Sequence, residues 1–459
     1  MTDIMQGAVR ATGDRSPFRS NRGLITRLPT AARLAVPLLL LLPTLESAAA
    51  QHIKTFPDPA LTRPTAAGMV LSLEDAVRIS RGEQPSILAF EREAEASEHA
   101  AITARTLPDP QITAGVTDLP VTGRDAFSPT ADNFTMYSIG IMREQVRLAK
   151  REAEAARLRA VAIASRAEAS AQERRIQRDV MVAWLTAVEA SSKQRLLDRI
   201  IGDLTVGHQV MEAGIPTGAS SPALALQMQG EIALAQAQKV RAVGEELRAR
   251  AELGRWIGAA AQRPLPVDIP VLRLPAGAQE RVDADRHPTV LVAQAQEQSA
   301  RLRIDVARAD RKSNVTWSVN YGYRPRFGDL VTAQITIPLQ NNRAGRQDRQ
   351  VAEALAQADA ARLRAEDARR EITGAYGVAL ADYQSADAQL AILNSKALPA
   401  LEASFEAAEA RYGGGQGELE LPLTIVRRYV EVSIESIEER AKRARAAAEL
   451  TYLTEDFSK

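Results

Sequence analysis

The chain has 459 residues, 45% apolar but only 4% aromatic, with no cysteine and a formal charge of +1. The missing cysteine excludes disulfide frameworks, thiolate metal sites, thiol nucleophiles and a lipidated N-terminal Cys. A charge this close to zero excludes a strongly basic nucleic-acid binder. Few aromatics beside long Ala-, Glu- and Arg-rich stretches predict extended helices packed at close range rather than several globular cores.

Residues 1–50 read as a cleaved export signal. Arg10, Arg15, Arg19, Arg22, Arg27 and Arg33 precede the apolar run 34–42, and Ala48-Ala49-Ala50 fits a small-residue cleavage site before Gln51. The run is short, interrupted by Pro37 and closed by Pro43. Its removal leaves a formal charge of −2. No later stretch reaches the ~18 consecutive apolar residues of a membrane-spanning helix, so any membrane signal must lie in strands. Residues 51–70 form an N-terminal extension.

The rest repeats one plan. Repeat 1 covers 71–263 and repeat 2 covers 286–455, joined by the Pro-rich linker 264–285 and followed by the tail 456–459. Gln84-Pro85 opens one half as His287-Pro288 opens the other. Each half runs helix, alternating segment, turn, alternating segment, very long helix, glycine break, return helix. The first hairpin, 111–142, sets Ile112, Ala114 and Val116 opposite Thr113, Gly115 and Thr117. Its second arm, 134–142, puts Tyr137, Ile139 and Ile141 on one face.

The second hairpin, 314–339, alternates Val315, Trp317, Val319, Tyr321 and Tyr323 with Thr316, Ser318, Asn320 and Gly322. After the polar turn it continues through Val331, Ala333, Ile335, Ile337 and Leu339. Such strands suit either an amphipathic hairpin on a soluble core or a tilted crossing of an outer membrane, which takes about ten residues. Four strands leave two open edges, which hydrocarbon does not tolerate, and bacterial barrels begin at about eight strands. A membrane barrel therefore needs several chains, three giving twelve strands. Tyr137, Trp317, Tyr321 and Tyr323 are its candidate lipid-facing aromatics.

Helix-spaced apolar positions then run for about 70 residues in each half, roughly 100 Å of rod. Ile176, Val180, Trp184 and Val188 mark the first, and Ile372, Tyr376, Leu380 and Tyr383 the second. Pro399 is expected to kink or open the second rod. The rods end in the tips 213–218 and 412–417, where Gly214, Gly218, Gly413, Gly414, Gly415 and Gly417 supply the left-handed freedom of a tight helical hairpin. The return helices, 220–257 and 418–453, are shorter than the rods. Helices 72–106 and 286–312 stack on them end to end.

Taken in order, Leu71-Ser72-Leu73-Glu74-Asp75-Ala76, Leu107-Pro108-Asp109-Pro110, Asp132-Asn133-Phe134-Thr135-Met136, Ile335-Thr336-Ile337-Pro338-Leu339 and Leu398-Pro399 before Ala410-Arg411-Tyr412-Gly413 resemble the TolC-like outer-membrane efflux family. The Leu-Pro-Asp-Pro and Asp-Asn-Phe-Thr-Met surroundings resemble its heavy-metal branch, of the cobalt–zinc–cadmium and copper–silver type. The resemblance implies an α+β membrane protein in which long antiparallel α-helical hairpins form an α-barrel. Four β-strands per chain would complete a trimeric twelve-stranded β-barrel. It implies a homotrimer in the cell outer membrane, reaching into the periplasm. The tips would meet a periplasmic adaptor (membrane fusion protein) and an inner-membrane pump of the proton-driven RND type. The positions where relatives carry gate aspartates are Leu421 and Thr424 here, so that assignment does not transfer. Glu418 and Glu420 are the nearby candidates for a periplasmic gate, against a reading as solvated acids favoured by a helix dipole.

Sites of chemistry are sparse. His208 lies on the apolar seam of the first rod, and His52, His99 and His287 are isolated. Glu74-Asp75 opens a helix rather than forming an acid/base dyad. The glycine run 413–417 lacks the strand and Lys-Ser/Thr of a phosphate loop. Arg427 and Arg428 face either lumen or adaptor, or are a solvated helical face. The sequence therefore predicts no enzyme, cofactor, metal site or nucleic-acid partner, and the resemblance implies a passive exit duct, with heavy-metal cations as cargo. A duct for drugs or type I secreted proteins, and a soluble periplasmic coiled-coil scaffold, are the alternatives.

Overall fold

Ser72 begins the first helix by accepting the Asp75 amide on its hydroxyl at 3.0 Å, with Glu74 and Asp75 at the positive end of the helix. From there a computed structural model gives α1 (Leu73–Ser80), α2 (Pro85–Arg105), β1 (Gln111–Thr117), β2 (Met136–Gln145), α3 (Leu148–Gly214) and α4 (Pro222–Ile257). The same order follows in α5 (Pro288–Ala309), β3 (Val315–Tyr323), β4 (Leu330–Thr336), α6 (Gln347–Ile392), α7 (Leu398–Gly413) and α8 (Glu420–Thr454). Described are residues 69–454 except 83, 129, 132, 219, 273, 275–281 and 414–419. The export signal 1–50, nearly all of 51–70, part of the linker, Gly414, Gly415, Gly417, Glu418 and the tail lie outside them.

The helix expected over 72–106 is two helices. Gln84 is extended (φ −99°, ψ 121°) and Pro85 has no amide hydrogen to continue α1, so it starts α2 at a first-turn position. Rod α3 is unbroken for 67 residues, about 100 Å. The second rod, Gln347 to Gly413, covers the same 67 positions but is not one α-helix: a π-helical segment, Leu393–Ala397, separates α6 from α7. Pro399 lies just beyond it. A proline inside a helix removes one hydrogen bond and clashes with the carbonyl four residues back, and the wider π turn immediately before it accommodates that. Asn394 fixes the segment by accepting from Ser436 Oγ at 3.1 Å and Arg440 at 3.4 Å, both on α8.

Helices α2 and α4 pack along α3, and α5 and α8 pack along α6, while α3 also meets α5 and α8. The two junctions between stacked helices use equivalent residues. Gln84, capping α2, donates to the Trp256 carbonyl at the end of α4 (3.1 Å). His287, capping α5, meets Tyr452 near the end of α8 edge to face, ring centroids 5.0 Å apart. The main core lies beside the first junction, where Leu71, Ile176, Val180, Trp184, Leu253, Ile257 and Ala448 are buried together. The Trp184 indole donates to the Leu71 carbonyl at 3.0 Å. Emptying such a site by an aromatic-to-Ala change costs about 3–5 kcal/mol. Away from it the interfaces are mainly alanine, such as Ala155, Ala162, Ala171, Ala235 and Ala242. Small side chains let the rods approach closely with little aromatic filling.

The sheet is antiparallel throughout, in the order β1-β2-β3-β4. Pairing of β2 with β3, from Tyr137↔Tyr323 to Gln145↔Val315, joins the two hairpins. Two strands differ from expectation. β2 is displaced rather than shortened, running Met136–Gln145 instead of 134–142. β4 ends at Thr336, leaving Ile337 and Leu339 outside it, because Pro338 cannot donate to a ladder; its carbonyl accepts from Ser313 Oγ at 2.6 Å instead. Among the described residues no helix is long and apolar enough to cross a membrane.

Candidate functional site

The register settles which side chains share a face, since directly opposed residues of antiparallel strands point the same way. Ile112 faces Ile141, Ile139 faces Tyr321, Tyr137 faces Tyr323, and Trp317 faces Ile335. One side of all four strands is therefore a continuous apolar surface. It is exposed in the single chain: Ile112 by 79%, Ile335 by 70%, Val331 by 69%. Soluble monomers rarely show contiguous apolar patches beyond about 300–600 Å². The four aromatics singled out from the sequence, Tyr137, Trp317, Tyr321 and Tyr323, all lie on this side. The Tyr321 hydroxyl donates to Asp329 in the β3–β4 turn. Arg143 stands on the apolar side opposite Trp317, before the last pair of Gln145 with Val315, and donates to the Pro108 carbonyl at 2.9 Å.

The reverse side is polar and built around one close approach. Asn320 lies across Gly140, its direct partner, and accepts from Thr113 on the next strand at 3.1 Å. A Cβ at Gly140 would sit 1.9 Å from Asn320 Oδ1. Glycine is required there, and the side-chain bridge across it ties three strands together. Glu144 is the one charged residue of the four strands on this side, and it accepts from Asn314 at 2.7 Å. β1 and β4 each keep one edge without a partner in the chain.

At the far ends of the rods the first tip closes around Gly218, whose φ of +74° is the left-handed conformation expected of a tip glycine. Gly214 is instead the last residue of α3, and its carbonyl accepts from the Thr217 hydroxyl at 3.0 Å and the Ser220 amide at 3.3 Å. Ser221 caps α4, with Pro222 in its first turn. In the second tip Gly413 ends α7 and Glu420 starts α8; Gly414, Gly415, Gly417 and Glu418 fall outside the described residues. Beside the tips, Val426 and Val430 of α8 pack on Ile200, Leu204 and Met228. Arg427, which the sequence left between a functional and a solvated face, pairs with Glu231 of α4, and Arg428 pairs within its own helix with Glu431 at 2.9 Å.

Midway along, Glu189 on α3 is buried and accepts from Lys193 (2.8 Å) and from Arg445 of α8 (2.5 Å), while Lys193 also reaches Glu438 at 2.8 Å. Burial works against the Lys193 charge, but its bonds to Glu189 and Glu438 outweigh it and hold its pKa above the usual lysine value. His208 lies 3.8 Å from Glu212 on its own helix. His287, isolated in the sequence, is buried, accepts the Thr289 amide on Nδ1 at 3.3 Å, and faces Tyr452. Burial, then the nearby Arg174 charge, push its pKa down to about 4, against a smaller opposing pull from Tyr452. Among the described residues no group of three His, Asp or Glu is placed to hold a metal ion.

Sequence reasoning missed the Gly140–Asn320 bridge, the Glu189 cluster and the His287 contact. Each depends on partners far away in the chain. The one legible signal was Gln84-Pro85 recurring as His287-Pro288, which marks both residues as equivalent helix caps.

No protein-family model and no curated protein matches the sequence. Solved structures do match in fold. CusC, described in terms of folding and transmembrane channel formation, superposes with a TM-score of 0.70 at 16% identity, over 84% of this chain and 92% of that one. The outer-membrane protein VceC of Vibrio cholerae gives 0.69 at 16%, over 84% and 97%. The CmeC outer-membrane channel of Campylobacter jejuni gives 0.68 at 11%, over 90% and 93%. The chain has the fold of these proteins: paired helical rods of about 100 Å carrying a four-stranded sheet at one end.

Proposed function

We propose that three copies of this chain close their sheets into a twelve-stranded barrel in the outer membrane, with the rods forming a hollow periplasmic extension. The assembly would be the exit duct of a tripartite efflux system. One observation carries the reading. A sheet that is apolar and exposed on one side, polar on the other and open at both edges has no stable place in water or in lipid as a single copy. Closing the ring satisfies every edge, turns the apolar side to lipid and leaves the polar side around water. The shared fold with outer-membrane channels supports this reading.

The duct performs no chemistry in this account. Its directionality comes from an inner-membrane pump coupled through a periplasmic adaptor that docks on the tips around Gly214, Gly218 and Gly413–Gly417. The inner mouth opens as the tip helices untwist, with Glu418 and Glu420 as its acidic lining. Heavy-metal cations are the proposed cargo, on the strength of the Leu-Pro-Asp-Pro and Asp-Asn-Phe-Thr-Met segments. A duct for drugs or secreted proteins is the alternative.

Single-channel recording in planar bilayers tests the conduit. Discrete pores from purified, folded trimers are expected, and a folded trimer that never conducts would contradict it. Deleting the gene and comparing growth under copper, silver, cobalt, zinc and cadmium with growth under dyes and detergents separates the cargoes. Selective sensitivity to the metals is the expected result.

A further inference from the structure

All four chain segments that link the sheet to the rods meet at one end of it, because β1 and β3 start there and β2 and β4 stop there. The links alone, 106–110, 146–147, 310–314 and 337–346, carry five Lys and Arg against two Asp. With the adjoining end of β2 and the adjoining helical residues (105–110, 143–151, 308–314 and 340–349) the count is eleven Lys and Arg against four Asp and Glu. The connections at the opposite end, 118–135 and 324–329, carry three against four. A chain of overall charge +1 thus concentrates positive charge at one rim of its apolar sheet. Most of the acids there are already engaged: Asp310 with Lys150 (2.6 Å), Asp348 with Arg311 (2.7 Å), Glu144 with Asn314. Lys312, Arg343, Arg346 and Arg349 are exposed. Arg143 stands on the apolar side itself, level with Trp317. An apolar band ended by an aromatic and a cationic rim is complementary to a bilayer leaflet whose headgroups carry negative charge, where each basic side chain near the surface adds about fivefold to binding.

We infer that this rim is a docking surface for anionic phospholipid headgroups of the leaflet bordering the rods. The inference rests on the membrane reading of the sheet. Here Arg143 holds the inner border of the apolar band, and Lys312, Arg343 and Arg346 engage phosphates.

The test uses the purified full-length protein in maltoside micelles doped with either phosphatidylglycerol or phosphatidylcholine, comparing wild type with the triple variant Lys312→Gln/Arg343→Gln/Arg346→Gln. Wild type is expected to bind phosphatidylglycerol the more tightly. The triple variant should lose about fivefold per cation removed while keeping its affinity for phosphatidylcholine. The variant Arg343→Lys/Arg346→Lys should retain binding, which separates charge from fold damage. Equal binding of the two lipids by wild type would overturn the inference. So would a triple variant that keeps its preference for phosphatidylglycerol but changes the ion selectivity of the pore, which would place these cations on the water path. A sheet that takes up neither lipid would instead defeat the membrane reading beneath it.

Discussion

At Gly140 even a methyl group would meet Asn320 Oδ1 at 1.9 Å and the Val319 carbonyl at 2.7 Å. Gly140→Ala should therefore lower stability by about 1–3 kcal/mol, as overpacking does, seen as a lower unfolding temperature in detergent. Adding Asn320→Ala should recover part of the loss, since one of the two obstacles goes. A second residue-scale prediction concerns His287. Its pKa of about 4 lies below the ordinary 6.5 because burial disfavours the charged form. The unfolded chain then takes up a proton that the folded chain does not. The stability tied to neutral His287 is complete above pH 6.5 and is lost as pH falls toward 4, up to about 3 kcal/mol. His287→Gln, which copies Gln84 of the first repeat, should flatten that acid-side fall in unfolding temperature. Each was legible only in part. The repeat showed His287 as the counterpart of Gln84 but not its burial against Tyr452. The alternation of 315–323 gave Asn320 its face, but which strand residue it crosses depends on a register set between segments some 180 positions apart.

Among the elements, the second rod differs most from expectation. Pro399 located the disturbance, but one proline does not reveal whether a helix kinks, opens or widens, and here it widens one turn earlier. Asn394 holds that π segment to α8 through Ser436 and Arg440. Asn394→Ala should speed amide hydrogen exchange across 393–413 about three- to tenfold, the weight of a hydrogen bond or so, and leave 347–392 unchanged. Closer to the tips, α8 is tied to α4 by Arg427 and Glu231. If that tie restrains the second tip hairpin, Arg427→Glu should raise single-channel conductance and Arg427→Glu/Glu231→Arg should return it toward wild type. Unchanged conductance in the single variant would show that the tie is only a surface contact. The length of the first rod, by contrast, was readable, because the helix-spaced apolar positions Ile176, Val180, Trp184 and Val188, then Leu197, Ile201, Leu204 and Met211, run on with no proline until the tip.

At the scale of the whole molecule, the strand faces follow from alternation alone, and the count of four strands by itself raises the question of closure. What alternation left undecided was the partner of each strand. Pairing of β2 with β3 fuses the two hairpins into one sheet, and this leaves β1 and β4 as the open edges at which the proposed closure with sister copies would take place. The two edges lie about 14 Å apart within one chain, three strand spacings, far beyond the ~7 Å Cα separation a disulfide can bridge. The chain has no cysteine of its own. The most direct test is therefore a cysteine scan pairing one position of Thr113, Ala114 or Gly115 with one of Thr332, Ala333 or Gln334, followed by mild oxidation in isolated outer membranes. At least one register should yield covalently closed trimers on denaturing gels. Monomers at every register, with the sheet intact, would contradict closure of the barrel by three chains.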